Sequence, residues 1–248
     1  MFGRSSNPMF RNQVMDATYN QLTDSMTLGG TLNKLILLTL IMFAGAYVIY
    51  NQLSLEHVDN VVKLMWTGCI GGLIIVLVLG FKQQWANFLA PVYAFLQGFI
   101  IFGMSFYAEA VYPGIVTQAV ALTMGTVLVM ALLYKAGIIR ATERFKSTIL
   151  VATATIGIFY IIAFILMLFH VNIPYFTNNA SPLNIILNCV IVLIASLNLI
   201  IDFDFIEKGT QMRFPKYFEM YGAFGLLVTI LWMYIEILRL LQRIYSRR

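Results

Sequence analysis

The sequence has little charge. Only 11% of its 248 residues are Asp, Glu, Lys or Arg, and 60% are hydrophobic. A soluble domain carries about 25% charged residues. The mean hydropathy of +0.82 therefore predicts an integral membrane protein that lies almost wholly in or beside the lipid bilayer. The net charge of +5 bears on topology first. No basic run interleaved with aromatic residues predicts a nucleic-acid partner.

Cysteine and histidine are also scarce, with two of each. Cys69 and Cys189 lie inside apolar runs, so we interpret them as small buried hydrophobic residues and not as disulfide partners or metal ligands. His57 and His170 are isolated from each other in the sequence, and two histidines are too few for a metal cluster. We therefore expect no cofactor and assign no resident metal ion.

Several catalytic and pigment-binding motifs are missing. The sequence contains no HExxH, no GxSxG and no GxxxxGK[ST], which argues against a zinc protease, an α/β-hydrolase and an ATP-driven pump. The last apolar segment has no lysine for a retinal Schiff base, and no two acids lie mid-span as in an intramembrane aspartyl protease. We predict that the protein is not an enzyme. The first 30 residues have no cleavable signal pattern, so we expect the first span to direct insertion.

Seven apolar segments of about 20 residues follow a polar N-terminal tail over residues 1–30, and about 20 residues cross a bilayer as a helix. Residues 31–248 are then one domain. The predicted fold is an all-α integral membrane protein, a bundle of seven transmembrane helices joined by short links. The predicted spans lie near 31–50, 62–81, 88–108, 114–134, 147–169, 183–201 and 219–240.

The basic residues predict the orientation, because cytoplasmic loops are enriched in Lys and Arg. Eleven of the 16 basic residues lie on one side: Arg4 and Arg11 in the tail, Lys34 at the start of the first span, and eight in the links that follow spans 2, 4 and 6. This distribution predicts a cytoplasmic N-terminus. Seven full crossings would then place the C-terminal arginines outside, against the same rule. Either the C-terminus is an exception to this enrichment, or one of the seven segments does not cross the membrane fully. These arginines are Arg239, Arg243, Arg247 and Arg248.

The sixth segment carries a polar seam. At about 100° per residue, its polar and small residues fall within roughly 80° of arc, and hydrocarbon cannot solvate such a face. The seam must therefore face protein or a water-filled cavity, and an acid on it is a functional candidate. The asparagines can equally be hydrogen-bonding contacts between helices. The seam comprises Asn184, Asn188, Ile191, Ala195, Asn198 and Asp202.

Asp204 lies about 200° from Asp202, so only one of the two can face the interior. The ordinary interpretation is that both acids end the helix at the water interface beside Lys208. We favour that interpretation for Asp204 and leave it open for Asp202. Asp202 continues the polar seam, whereas Asp204 does not.

The seventh segment has a seam of its own, running from Glu219 through Thr229 to Glu236. We expect this seam to pack against that of segment 6, with Asp202 and Glu219 near the cytoplasmic mouth. For Glu219 a structural role at the helix start is favoured, since a carboxylate suits the helix dipole there. For Glu236 an ion pair with Arg239, three residues on, is favoured.

Three stretches resemble the Bax inhibitor-1 family, and most closely its YccA-like bacterial branch within the transmembrane Bax inhibitor motif superfamily. They are YPGIVTQAVALT at 112–123, NLIIDFDFIEKG at 198–209 and KYFEMYGAFGLLVTILWMYIEILRLL at 216–241. The resemblance covers nearly all of the chain after residue 30. It implies a bundle around a central last helix, and a bacterial cell (inner) membrane as the location.

The resemblance also implies a function. Characterised relatives act as pH-sensitive calcium leaks, in which an aspartate at the end of span 6 faces a second aspartate in span 7. Asp202 matches the first, whereas the second falls at Thr229, so this sequence departs from the family there. Asp204 or Glu219 are possible substitutes for the missing acid.

Two functions remain open. The first is a passive cation leak for Ca²⁺, with amide oxygens of the seam and Asp202 as transient ligands, since Ca²⁺ prefers oxygen. The alternative is a regulator of membrane proteins, such as a membrane-protease modulator or a stress or cell-death regulator, which a partner contacts through the N-terminal tail. A proton-coupled transporter is disfavoured because no acid lies mid-span.

Overall fold

The computed structural model describes residues 25–54, 58–169 and 181–247. Seven helices in these ranges are long and apolar enough to cross a membrane, which confirms the predicted seven-helix fold class. A short 3₁₀ helix, Gln83–Trp85, precedes the third of them. The helices are α1 (Leu28–Ser54), α2 (Val58–Phe81), α3 (Ala86–Val111), α4 (Ile115–Lys135), α5 (Glu143–Leu168), α6 (Pro182–Gln211) and α7 (Tyr217–Tyr245).

The last helix is central. α7 packs against α1, α3, α4 and α6, and 61% of its hydrophobic stretch is buried, compared with 11% for α5. The expectation of a central last helix is therefore confirmed. α5 is peripheral and packs mainly on α6. Most large apolar side chains of α2, α4 and α5 are exposed at the surface of the bundle, where a bilayer would solvate them.

The helices extend beyond the predicted spans. α6 continues to Gln211, ten residues past the predicted end at residue 201. The extra turns carry Asp202 and Asp204, whose carboxylates bond to neighbouring helices, so these polar residues remain helical inside the bundle. α1 begins at Leu28, and the rest of the predicted tail, residues 1–24, lies outside the described residues.

One end of the bundle collects most of the basic residues. Contacts join the starts of α1, α5 and α7 to the ends of α4 and α6. We call this the basic end, and the opposite end, where Arg243 meets Asn184, the far end. The basic residues there are Lys34, Lys82, Lys135, Arg140, Arg144, Lys146, Lys208, Arg213 and Lys216. That this end faces the cytoplasm stays a prediction.

The segment before α1 is held on the α6–α7 turn. Ser25 forms an isolated antiparallel bridge with Pro215, and the amide of Met26 donates to the carbonyl of Phe214 at 2.7 Å. The Met26 side chain is fully buried beside Gly209. The N-terminal segment is thus attached to the loop that joins the two seam-bearing helices.

α1 and α3 approach each other at two glycines. A Cβ on Gly98 would lie 2.2 Å from the carbonyl oxygen of Met42, and one on Gly45 would lie 2.0 Å from that of Phe95. Both obstacles are backbone atoms, which cannot rotate away. Small residues at helix crossings of this kind are common in membrane proteins.

We predict that Gly98→Ala destabilises the protein by about 1–3 kcal/mol, because the added methyl group forces the two helices apart. Thermal unfolding of the purified protein in detergent would measure the loss. Gly125→Ala is the matched control, since a Cβ at Gly125 meets nothing within 4 Å. Equal melting temperatures for the two variants would show that the close approach is wrong.

Candidate functional site

A polar seam joins α6 and α7 through the interior. The two helices run antiparallel, because Asn188 contacts Glu236 near the far end while Asp202 contacts Thr229 nearer the basic end. The predicted packing of one seam on the other is confirmed at these two contacts. The α7 residues of the seam are all buried: Glu219, Gly222, Leu226, Thr229, Met233 and Glu236.

Asp202 lies inside the bundle and not at the end of its helix. Its Oδ2 accepts a hydrogen bond of 2.6 Å from the Thr229 hydroxyl, and its Oδ1 lies 3.7 Å from where a Cβ of Gly225 would stand. α6 continues nine residues past Asp202 to Gln211, a rise of roughly 14 Å. The interpretation of Asp202 as a helix-end residue at the water interface is therefore wrong.

The far end of the seam holds a buried charged cluster. Glu236 is 1% exposed, and its Oε1 accepts from the Arg239 guanidinium at 2.9 Å and from the Tyr160 hydroxyl at 2.5 Å. Its Oε2 accepts from the Asn188 amide at 2.9 Å. The expected Glu236–Arg239 pair is confirmed, and α5 and α6 add a partner each.

Arg243 completes this cluster. Its side chain is 1% exposed and donates to the carbonyl of Asn184 at 2.9 Å and to Oδ1 of Asn188 at 3.0 Å. Two of the four C-terminal arginines, Arg239 and Arg243, therefore bind groups inside the bundle. Their contacts inside the bundle explain why these two arginines are present, so they are no reason to infer that one segment does not cross the membrane.

Asn198 turns away from α7. Its amide donates to the Thr153 hydroxyl on α5 at 2.8 Å and to the carbonyl of Ile194 on its own helix. Two asparagines of the α6 seam, Asn188 and Asn198, thus bond to neighbouring helices through their side-chain amides, and Asn184 accepts from Arg243 through its backbone carbonyl.

The favoured interpretation, in which Asp204 ends the helix at the water interface, is wrong, although Lys208 is a partner as expected. Asp204 is only 8% exposed, and its Oδ2 lies 2.7 Å from Lys146 Nζ on α5 and 3.0 Å from Lys208 Nζ. The 200° between the two aspartates directs Asp202 to α7 and Asp204 to α5. Both faces of α6 carry contacts to protein here: Asp204 is buried and Asp202 is half-buried.

Glu219 faces α1 and not Asp202. It accepts from the amide and hydroxyl of Thr27 at 3.0 and 2.8 Å and pairs with Lys34 at 3.0 Å. Glu219 lies in the first turn of α7, as expected, and its contacts hold the start of α1 against that turn. Because its carboxylate is directed to another helix, it does not supply the acid missing at Thr229, and neither does Asp204.

Sequence reasoning missed three participants: Tyr160, Lys146 and the buried role of Arg243. Periodicity could have placed Arg243 seven residues after Glu236, on the same face. Nothing local marks Tyr160 or Lys146. Cys69 and Cys189 were expected to be buried and are instead exposed on the bundle surface. Among the described residues no group of three or more His, Cys, Asp or Glu could hold a metal ion.

A seven-helix membrane bundle with a polar seam on its central helix is the class of protein defined by these contacts. The chain belongs to the family described as Bax inhibitor 1 like, whose model matches residues 7–246. Comparisons with curated proteins and with solved structures returned no match. The resemblance carried by the three sequence stretches is thereby confirmed at the level of the family.

We predict that Glu236→Gln destabilises the protein by about 3 kcal/mol, because it leaves the partly buried Arg239 guanidinium without its carboxylate. Thermal unfolding in detergent measures the effect. Glu143→Gln is the control, since Glu143 pairs with Lys146 while 88% exposed. Unchanged stability in Glu236→Gln would mean that the cluster does not hold α7 in place.

Proposed function

We propose that this chain is a pH-sensitive cation leak channel, with Ca²⁺ as the transported ion and Asp202 at its gate. The observation that carries the proposal is the 2.6 Å hydrogen bond between Asp202 and Thr229. It joins the two positions at which the family resemblance implies a pair of gating aspartates. In the sequence, Thr229 stands where the family has its second aspartate, and in the fold its side chain contacts Asp202.

The gate works through the charge on Asp202. A hydrogen bond to an ionised carboxylate is roughly twice as strong as one between neutral groups. Ionised Asp202 thus holds α6 against α7, and the seam is closed. Protonation removes the charge and weakens the bond, which favours separation of the helices, so the leak rises as pH falls. The far-end contact of Arg243 with Asn188 closes the same seam at its other end.

The chemistry of the seam suits Ca²⁺ in transit. Ca²⁺ takes oxygen ligands from carboxylates, amides and carbonyls. Asp202 and the Thr229 hydroxyl supply two such oxygens at one level, and Asn188 supplies an amide oxygen further along. A single carboxylate gives a transient site and not a resident one, as a leak requires. No step in this proposal needs a bound cofactor.

Asp202→Asn should raise Ca²⁺ flux into liposomes at neutral pH by about tenfold, the effect of losing a charge-assisted hydrogen bond. It should also abolish the response to acid that comes from this residue. Thr229→Val, which keeps the shape and removes the donor, should raise flux in the same direction. Reporters for Ca²⁺, K⁺ and H⁺ run in parallel would identify the ion.

Asp59→Asn is the matched control, because Asp59 is an exposed acid in the first turn of α2. Asp204→Asn is unsuitable, since it would break two ion pairs. Flux of Asp202→Asn equal to wild type at both neutral and mildly acidic pH would contradict the gate. A fall in flux would show instead that Asp202 is a required cation ligand.

Thr229→Asp should restore the two-carboxylate pair of the family. Two carboxylates in contact cannot both be ionised, so one of them keeps a proton at a pH where a single acid would be charged. We therefore expect the response of flux to acid to begin at a higher pH than in wild type. Thr229→Asn has nearly the same shape without the charge and should lack this shift. Identical pH profiles for the two variants would disprove the prediction.

The alternative function is regulation of another membrane protein without conduction. The attachment of Ser25 and Met26 to the α6–α7 turn favours it, because a partner that held the preceding tail would act on the seam helices. Deletion of residues 2–24 should leave the leak intact and abolish tail-dependent regulation. Absence of flux for every ion in the full-length protein would favour the regulator.

A further inference from the structure

A long groove opens on the side of the bundle between α2 and α5. Its volume is about 910 Å³, within the range of roughly 300–1,000 Å³ found for small-molecule sites. α3 and α7 form its floor, and the Trp66 and Phe164 rings, 5.9 Å apart, join α2 to α5 at its side. Most of the lining is apolar. Such a groove, open toward lipid, suits a chain-like hydrophobic ligand.

One charged group lines this groove. Of its 15 described lining residues, only Arg239 is charged, and its side chain is 19% exposed. The Tyr160 hydroxyl, which accepts from Arg239 at 3.3 Å, lines the same region. A guanidinium carries five N–H donors in one plane and can serve two carboxylates at once. A ligand with a carboxylate therefore fits this part of the groove.

A buried amide also lines the groove. Gln97 is 9% exposed and makes no hydrogen bond with any described residue. A Cβ on Gly72 would lie 2.5 Å from its Nε2, so the glycine makes room for the amide. Because the amide lines a groove that opens toward lipid, hydrocarbon there cannot supply the hydrogen bonds that it lacks. A hydrogen-bonding group on a bound ligand would supply them.

The two polar groups lie far apart along the groove. Ser105 on α3 meets Tyr234 on α7, with 2.6 Å between their hydroxyl oxygens. Gln97 precedes the first by eight residues and Arg239 follows the second by five, so their Cα atoms are separated by roughly 20 Å along parallel helices. The reach of the two long side chains shortens the span that a ligand must cover.

We propose that this groove binds a single-chain fatty acid that carries a hydroxyl group along its chain. The carboxylate binds Arg239, and the hydroxyl binds Gln97. Arg239 lies six residues from the end of α7, about 9 Å from the membrane-surface side, and Gln97 lies deeper. The ligand therefore sits with its head toward the surface and its tail inward, as lipids of that leaflet do. Binding of this ligand does not require that the chain conduct ions.

Tryptophan quenching tests the site, because Trp66 lines the groove. The full chain, with Trp85→Phe and Trp232→Phe, is placed in dioleoylphosphatidylcholine nanodiscs, and dibrominated stearate is the quencher. Trp66 should be quenched saturably at low quencher fractions. The control retains Trp85, which is exposed at the other end of α2, and replaces Trp66 and Trp232. Its quenching should rise without saturation.

Competition then identifies the chemistry. Ricinoleate, a hydroxylated fatty acid, should relieve Trp66 quenching at about fivefold lower concentration than oleate, the value of one neutral hydrogen bond. Oleate should relieve quenching at a concentration at least about tenfold lower than oleyl alcohol does, because only the acid binds Arg239. Gln97→Leu should remove only the preference for the hydroxylated acid. Arg239→Gln should remove only the preference for the acid over the alcohol, and Arg239→Lys should keep most of that preference.

Thermal unfolding in detergent checks that each variant is folded. Leu73→Phe narrows the groove without adding a second tryptophan and without changing Arg239 or Gln97, and it should weaken saturable quenching of Trp66. Two results would overturn the proposal. One is quenching of Trp66 that rises without saturation, as at Trp85, because the quencher would then reach Trp66 from the bulk lipid and not from a binding site. The other is relief by ricinoleate, oleate and oleyl alcohol at equal concentrations.

Discussion

Hydrocarbon offers no hydrogen bonds, and this constraint organises the interior of the bundle. Every acid on α7 is paired with another helix: Glu219 with α1 and Glu236 with α5 and α6. Thr229 bonds to α6 between them. A helix with polar groups along its length can be stable in a membrane only if protein surrounds it. The polarity of the last segment is thus the reason that it occupies the centre.

The same reasoning shows how much the sequence could predict. The number of helices and the fold class follow from the lengths of the apolar segments, which can be read without knowing which helices pack together. The two seams follow from a period of 3.6 residues, and their mutual packing follows because polar faces have few other places to go. Asn188 with Glu236 and Asp202 with Thr229 lie on faces that periodicity alone identifies.

What the sequence could not predict depends on a third helix. Asp204 looked exposed because it lies off the α6 seam, yet α5 covers that face and brings Lys146 to within 2.7 Å. Glu219 looked like a neighbour of Asp202, yet α1 supplies Lys34 first. In each case the residue type and its face were read correctly, and the identity of the covering helix was missing. The periodicity of a segment identifies its polar face, but it does not predict which non-adjacent helix packs on that face.

The α6–α7 seam and the lateral groove share one side chain network. Arg239 lines the groove, and its guanidinium binds Glu236, whose second oxygen accepts from Asn188 on the seam. Arg243 bonds that same asparagine. A carboxylate that bound Arg239 from the groove would share its guanidinium with Glu236, and any change in Glu236 would reach Asn188 on the seam. If the groove binds its ligand and the seam opens as proposed, the two events would be linked through this ion pair, and each would alter the free energy of the other by the same amount.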